Sequence, residues 1–167
     1  IKRCMVLVFM LFFSFSASES VAQSTPSEIS VTYCSDCVPF HFTNTDGQPD
    51  GQIIDYWKLW SEKTGIKVRF KAAAWNQTLS NVRDGKVDAH AGLFFSDERN
   101  KFLEFGPALT DTDTHVFFHE DVAFPETLAE LKSYRIAVIS GDLVEGWLKE
   151  RLGEDSVVGF SDYPSII

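Results

Sequence analysis

Apolar and polar residues alternate over residues 29–33, where Ile29, Val31 and Tyr33 are separated by Ser30 and Thr32, and this period of two predicts a β-strand. The period then lengthens. Over 53–63, Ile53, Trp57 and Trp60 fall on one stripe of a helix, and Gly65 is placed to end it. Val68 and Phe70 mark a second strand, and 75–84 a shorter helix with Leu79 and Val82 inward, closed by Gly85. Val87, Ala89 and Ala91 alternate with Asp88 and His90 as a third strand. Asp46-Gly47 and Asp50-Gly51 are turn signals before the first helix. The order β-α-β-α-β predicts an α/β fold, a mainly parallel sheet flanked by helices. Further on, 114–118 reads as a strand, 127–131 as a short helix, 135–139 as a strand and 144–152 as a helix after the turn Ser140-Gly141-Asp142.

The first 22 residues follow a different logic. Lys2 and Arg3 precede an uncharged apolar run from Met5 to Phe13, and small residues end at Ser20-Val21-Ala22, the pattern of a secretory signal cleaved after Ala22. That run is too short to span a bilayer comfortably, so the expectation is an exported, periplasmic protein. Cys4 has no lipobox around it, which argues against a lipid anchor. The formal net charge of −9 becomes −10 once Lys2, Arg3 and Glu19 are removed with the leader, a poor surface for nucleic acid or anionic membrane. No Ser/His/Asp order, phosphate loop or H-E-x-x-H pattern supports an enzyme, and no cofactor is expected.

Candidate chemistry concentrates between Gly85 and Phe105. A strand runs through Gly92 into a helix expected to begin near Glu98, capped by Ser96 or Asp97, with Arg99 in its first turn. Free N–H groups, the positive helix end and a guanidinium that can grip a carboxylate through two parallel bonds all favour one negative ligand group. This reading requires the Arg99 guanidinium to open into a crevice at the carboxyl end of the sheet.

Gly85, Lys86, Asp88, Gly92, Ser96, Arg99, Phe105 and Pro107 stand in register with the pattern G-K-x-D, apolar strand, G-M-[ST]-[IVF]-[ST]-x-x-R, F-[ST]-x-P. In this the chain resembles the bacterial extracellular solute-binding proteins of family 3, periplasmic amino-acid-binding proteins of the Venus flytrap type. Leu128, Leu131, Lys132, Ile136, Ala137, Val138 and Gly141 continue the match. The resemblance implies a type II periplasmic-binding-protein fold: 1–22 as signal, 23–28 as linker, 29–117 as lobe 1, nearly complete, and 118–167 as the start of lobe 2. At 145 residues the mature chain is too short for both lobes, so a C-terminal truncation is expected.

The resemblance further implies that Arg99 binds the carboxylate of a small ligand, an amino acid or relative, and that Trp75 stacks on it. Gly92, Phe94, Gly141 and Asp142 complete the candidate ligand-binding set. Asp142 is read either as the partner of a ligand ammonium or as the cap of the next helix. Phe40 is read as core, and Asp55 as structural. The sequence departs from the family at Cys37, Phe94 and Gly141-Asp142-Leu143, which makes the pocket more aromatic and poorer in hydroxyls. Closure of the lobes would serve an ABC transporter permease or a fused membrane signalling domain, as in sensor histidine kinases and diguanylate cyclases; a regulatory module of an exported lytic transglycosylase is a further alternative.

Cys34 and Cys37 form an isolated C-x-x-C, read as a disulfide or inert thiols rather than a redox centre, because Pro39-Phe40 argues against a helix starting there. With no second cysteine pair no zinc site is expected. His115 and His119 are spaced for a metal on a helix, but Val116-Phe117-Phe118 favours a strand, so no metal is expected there either.

Overall fold

The computed structural model describes residues 25–166. The signal sequence read at 1–22, with Cys4, lies outside the described residues. Strand β1 (Glu28–Cys34) is the central strand of a three-stranded parallel sheet ordered β5-β1-β6, with β5 at Lys67–Ala73 and β6 at Ala89–His90. Val31 pairs with Phe70 on one side and Ala89 on the other. The β1 strand is buried on both faces, as a central parallel strand must be: Val31 and Tyr33 pack on one side while Thr32 is fully enclosed on the other.

Helices α1 (Gln52–Thr64) and α2 (Trp75–Arg83) pack against this sheet. Ile53 and Ile54 of α1 join Val31, Tyr33 and Ala91 in one apolar cluster, and Trp57 Nε1 donates to the Ala91 carbonyl at 2.8 Å. The start of α1 is fixed by Gly51, which has φ +111°. A Cβ there would lie 2.6 Å from the Phe40 carbonyl oxygen, so only glycine lets the chain pass. Asp88 fastens β6 to β1: its carboxylate accepts from the Ser30 N–H and hydroxyl, which hold its pKa below the usual carboxylate value. Phe40 packs against the apolar cluster, as its sequence context predicts, and Asp55 is exposed beside Lys58.

A second unit follows. Strands β7 (Ile136–Ile139) and β8 (Val157–Phe160) pair in parallel, with α4 (Leu143–Leu152) covering them through Leu148 and Leu152. Between the units α3 is one turn, Asp97–Asn100.

The structure corrects three expectations. Residues 114–118 form no strand, because among the described residues no neighbouring strand offers them a ladder and an apolar alternation alone satisfies no backbone group. The helix expected at 127–131 is a 3₁₀ turn at Glu130–Ser133. The region before α1 is more than turns: β2 (Asp36–Cys37), β3 (His41–Thr43) and β4 (Pro49–Asp50) make a small antiparallel sheet. Among the described residues no helix is long and apolar enough to cross a membrane.

Ile54 is fully buried beneath the sheet. Ile54→Ala is expected to lower unfolding free energy by about 2–5 kcal/mol through lost burial and a residual cavity, measured by urea denaturation; a loss under about 1 kcal/mol would show that α1 does not close this core.

Candidate functional site

The chain leaves β6 through Ala91 and Gly92 and reaches Ser96, whose hydroxyl caps α3 by accepting from the Arg99 N–H at 3.2 Å. Because α3 is a single turn, its peptide dipoles add little, and the anion-attracting helix end expected from the sequence shrinks to the Arg99 side chain itself.

That side chain does not open into a crevice, which corrects the sequence reading. Arg99 is only 6% exposed. Nη1 donates to the Phe94 carbonyl at 2.9 Å and Nη2 to the Gly141 carbonyl, 42 residues away in the second unit, at 3.2 Å. The guanidinium carbon lies 5.6 Å from the centroid of the Trp75 ring, within cation–π range. Two of its five N–H donors are thus satisfied, and among the described residues no carboxylate stands within ion-pair distance. Glu98 pairs with Lys101 instead. Burial pushes the Arg99 pKa down while the nearby Asp142 carboxylate pushes it up, and the group stays charged. Two clefts of about 420 and 620 Å³ lie elsewhere, one beside His115 and Phe124, the other beside Asp36 and Tyr163.

Trp75 begins α2 and is buried. It packs with Cys34 and Ile139, so its ring belongs to a core shared by both units. Its Nε1–H is a buried donor without a protein partner. A buried donor left unpaired costs roughly 1–3 kcal/mol. Two histidines that the sequence reading did not single out flank it. His41 stacks on the indole at 6.5 Å with rings 8° from parallel, and His90 meets it edge-on at 5.5 Å.

His90 is locked as a neutral ring. Its Nδ1 accepts from the Gly92 N–H at 3.2 Å, so Nε2 carries the proton and donates to Thr78 Oγ1 at 2.9 Å; the Thr78 hydroxyl in turn donates to the Trp75 carbonyl. Burial, with the neighbouring His41 and Arg99 adding to it, holds its pKa down at about 3. His41 is also shifted down, mainly by burial. On a strand buried on one face only, His90 would be a solvated polar position; the run of apolar and small residues around it was the available signal of a strand covered on both sides.

The other expected residues are distributed as follows. Gly141 (φ +81°) receives Arg99 through its carbonyl, and its N–H donates to Glu145. Asp142 caps α4 by accepting from the Val144 N–H at 3.0 Å, the capping alternative of its two readings. Phe94 contributes its carbonyl, while its ring is largely exposed. Gly92 touches the site through backbone bonds to both histidines. Cys34 and Cys37 are joined as a disulfide. His115 and His119 lie in the irregular segment, with His119 3.5 Å from Asp121.

Arg99 thus lies where a parallel α/β unit meets the strand-turn-helix start of a second unit. Residues 29–145 match the sequence profile of the bacterial extracellular solute-binding proteins, family 3, and the chain belongs to that family. A comparison with curated proteins found no match. Among solved structures the fold is similar to an ancestral arginine-binding protein bound to glutamine (22% identity, TM-score 0.69, 85% of this chain and 64% of the other). It is also similar to a histidine kinase sensor domain related to periplasmic binding proteins (22%, TM-score 0.75, 84% and 62%). A third similar fold is the periplasmic domain of BvgS from B. pertussis (19%, TM-score 0.72, 84% and 28%). The chain thus spans less than two thirds of the length of these proteins.

The site predicts acid lability. An unfolded histidine titrates near 6.5 and folded His90 near 3, so below pH 6.5 the unfolded chain binds the extra proton and stability falls as pH falls, by about 1.4 kcal/mol per unit for one such group. His41 adds a loss of the same sign. His90→Asn should flatten the slope of unfolding free energy between pH 6 and about 4; an unaltered slope would remove His90 from this account.

Proposed function

We propose that the protein binds a small carboxylate-bearing solute, an amino acid or relative, between two lobes, 29–117 and a second beginning at 118, and that lobe closure is its output. The observation that carries this reading is the buried Arg99 guanidinium, held by one carbonyl from each unit, with no carboxylate partner among the described residues and three N–H donors left over. The unpartnered Trp75 Nε1–H beside it offers a further donor. A carboxylate supplies the charge and paired acceptors that two neutral carbonyls do not. Because the Gly141 carbonyl covers Arg99 from the second unit, entry requires the units to separate, and closure over the ligand follows.

The family assignment supports solute binding outside the cytoplasm, and the signal-like segment at 1–22 supports a periplasmic location. The similarity to an arginine-binding protein bound to glutamine supports an amino-acid ligand; delivery of that ligand to an ABC permease is the first reading of the output. Sensory input is the second reading. It is favoured by the similarity to a kinase sensor domain and to the periplasmic domain of BvgS.

A thermal-shift and calorimetric screen with amino acids and small carboxylates tests this. The ligand found should lose about 2 kcal/mol or more of binding free energy, roughly 30-fold in Kd, on Arg99→Ala in a protein that keeps its native circular dichroism. Undiminished binding by that variant would exclude Arg99 as the carboxylate anchor.

A further inference from the structure

We infer that Cys34, Cys37 and His41 form a redox-gated site for one thiolate-seeking metal ion of the zinc class. Their ligand atoms, two sulfurs and an imidazole nitrogen, all lie within 4.8 Å of one another. Two sulfurs about 2.3 Å from a tetrahedral ion stand roughly 3.7 Å apart, so modest side-chain rotation after reduction completes the geometry. The Cα atoms, 5.6 Å apart, do not need to move.

His41 supplies the second, independent observation. Its Nε2 lies 3.2 Å from the Gly92 carbonyl and its Nδ1 3.4 Å from the Cys34 carbonyl, yet a neutral ring has one N–H to donate. With the proton assigned to Nε2, the shorter contact, Nδ1 keeps a lone pair whose nearest polar neighbour is the Cys34 carbonyl, an acceptor and not a donor. That is the arrangement of a metal-binding histidine, one nitrogen free for the ion and the other donating to a backbone carbonyl that fixes the ring. His41 is almost fully buried, so this unmet acceptor is not satisfied by bulk solvent. Three protein ligands leave the fourth position of a tetrahedral ion for water or a solute. Cys37 is only half-buried, and the neighbouring Val38 is exposed, which gives an ion a way in.

The chemistry balances as follows. A dithiol reductant breaks the Cys34–Cys37 bond, two electrons and two protons passing to the two sulfurs while the reductant becomes a disulfide. The ion then replaces both thiol protons, which go to solvent, and accepts the Nδ1 lone pair. In the oxidised protein the sulfurs are bonded to each other and cannot ligate.

The test is a calorimetric titration of Zn²⁺ into the whole chain, oxidised and after phosphine reduction, with Co²⁺ as the spectroscopic probe. The expected result is one ion per reduced chain, protection of both thiols from alkylation, a thiolate-to-cobalt charge-transfer band, and no stoichiometric binding by the oxidised chain. His41→Gln should lose the one-to-one binding. Cys37→Ser, at a less buried position, should lose it in a protein that retains native circular dichroism. Equal binding by oxidised and reduced chains, unchanged affinity in His41→Gln, or loss of native circular dichroism on reduction would each overturn the assignment.

Discussion

A guanidinium removed from water needs acceptors, and Arg99 takes them from both units at once. Phe94 answers from the loop after β6, Gly141 from the turn after β7, and the Trp75 ring lies beside them. Removing a cation from water costs several kcal/mol, which two neutral carbonyls and a π face offset only in part; Asp142, whose carboxylate favours the charged form, is engaged in capping α4. The contact between the units is therefore electrostatically incomplete. Under the proposed function an incoming carboxylate would complete it, and that unmet demand is what would give a ligand leverage over lobe closure.

Much of the frame was legible in the chain. The central strand, both flanking helices and the second strand-turn-helix declared themselves through periodicity and glycine punctuation, because each buries a face wide enough to dictate its pattern. The small sheet β2-β3-β4 did not. Its strands are two or three residues long, too short for a period, and only the turn residues between them carried a signal. Strand β8 is as long as β7, but Gly159 interrupts its apolar run. Residues 114–118 failed in the opposite direction: Val116 and Phe118 suit a strand, but pairing is a property of neighbours and not of the segment.

The site divides in the same way. Arg99 stood out in the sequence by its place after a glycine turn and a helix cap, and Trp75 through the family resemblance. Their burial could not be read there, since the covering atoms are backbone carbonyls, which no residue identity records. His41, between Phe40 and Phe42, and His90, between Ala89 and Ala91, were overlooked because a histidine looks the same in sequence whether its ring is solvated or enclosed. Only three dimensions bring Thr78, the Gly92 N–H and the Gly92 carbonyl to their nitrogens.

Those histidines also join what the sequence presents as two separate features. Cys34 packs against Trp75 and Ile139, His41 stacks on the same indole from the strand after the disulfide, and Arg99 lies over that indole. The cysteine pair and the arginine thus share one neighbour, a large buried ring. Ile139 immediately precedes the Ser140-Gly141 turn that supplies the Arg99 acceptor, so the core under the disulfide and the hydrogen bond across the units are set by consecutive residues of one strand end.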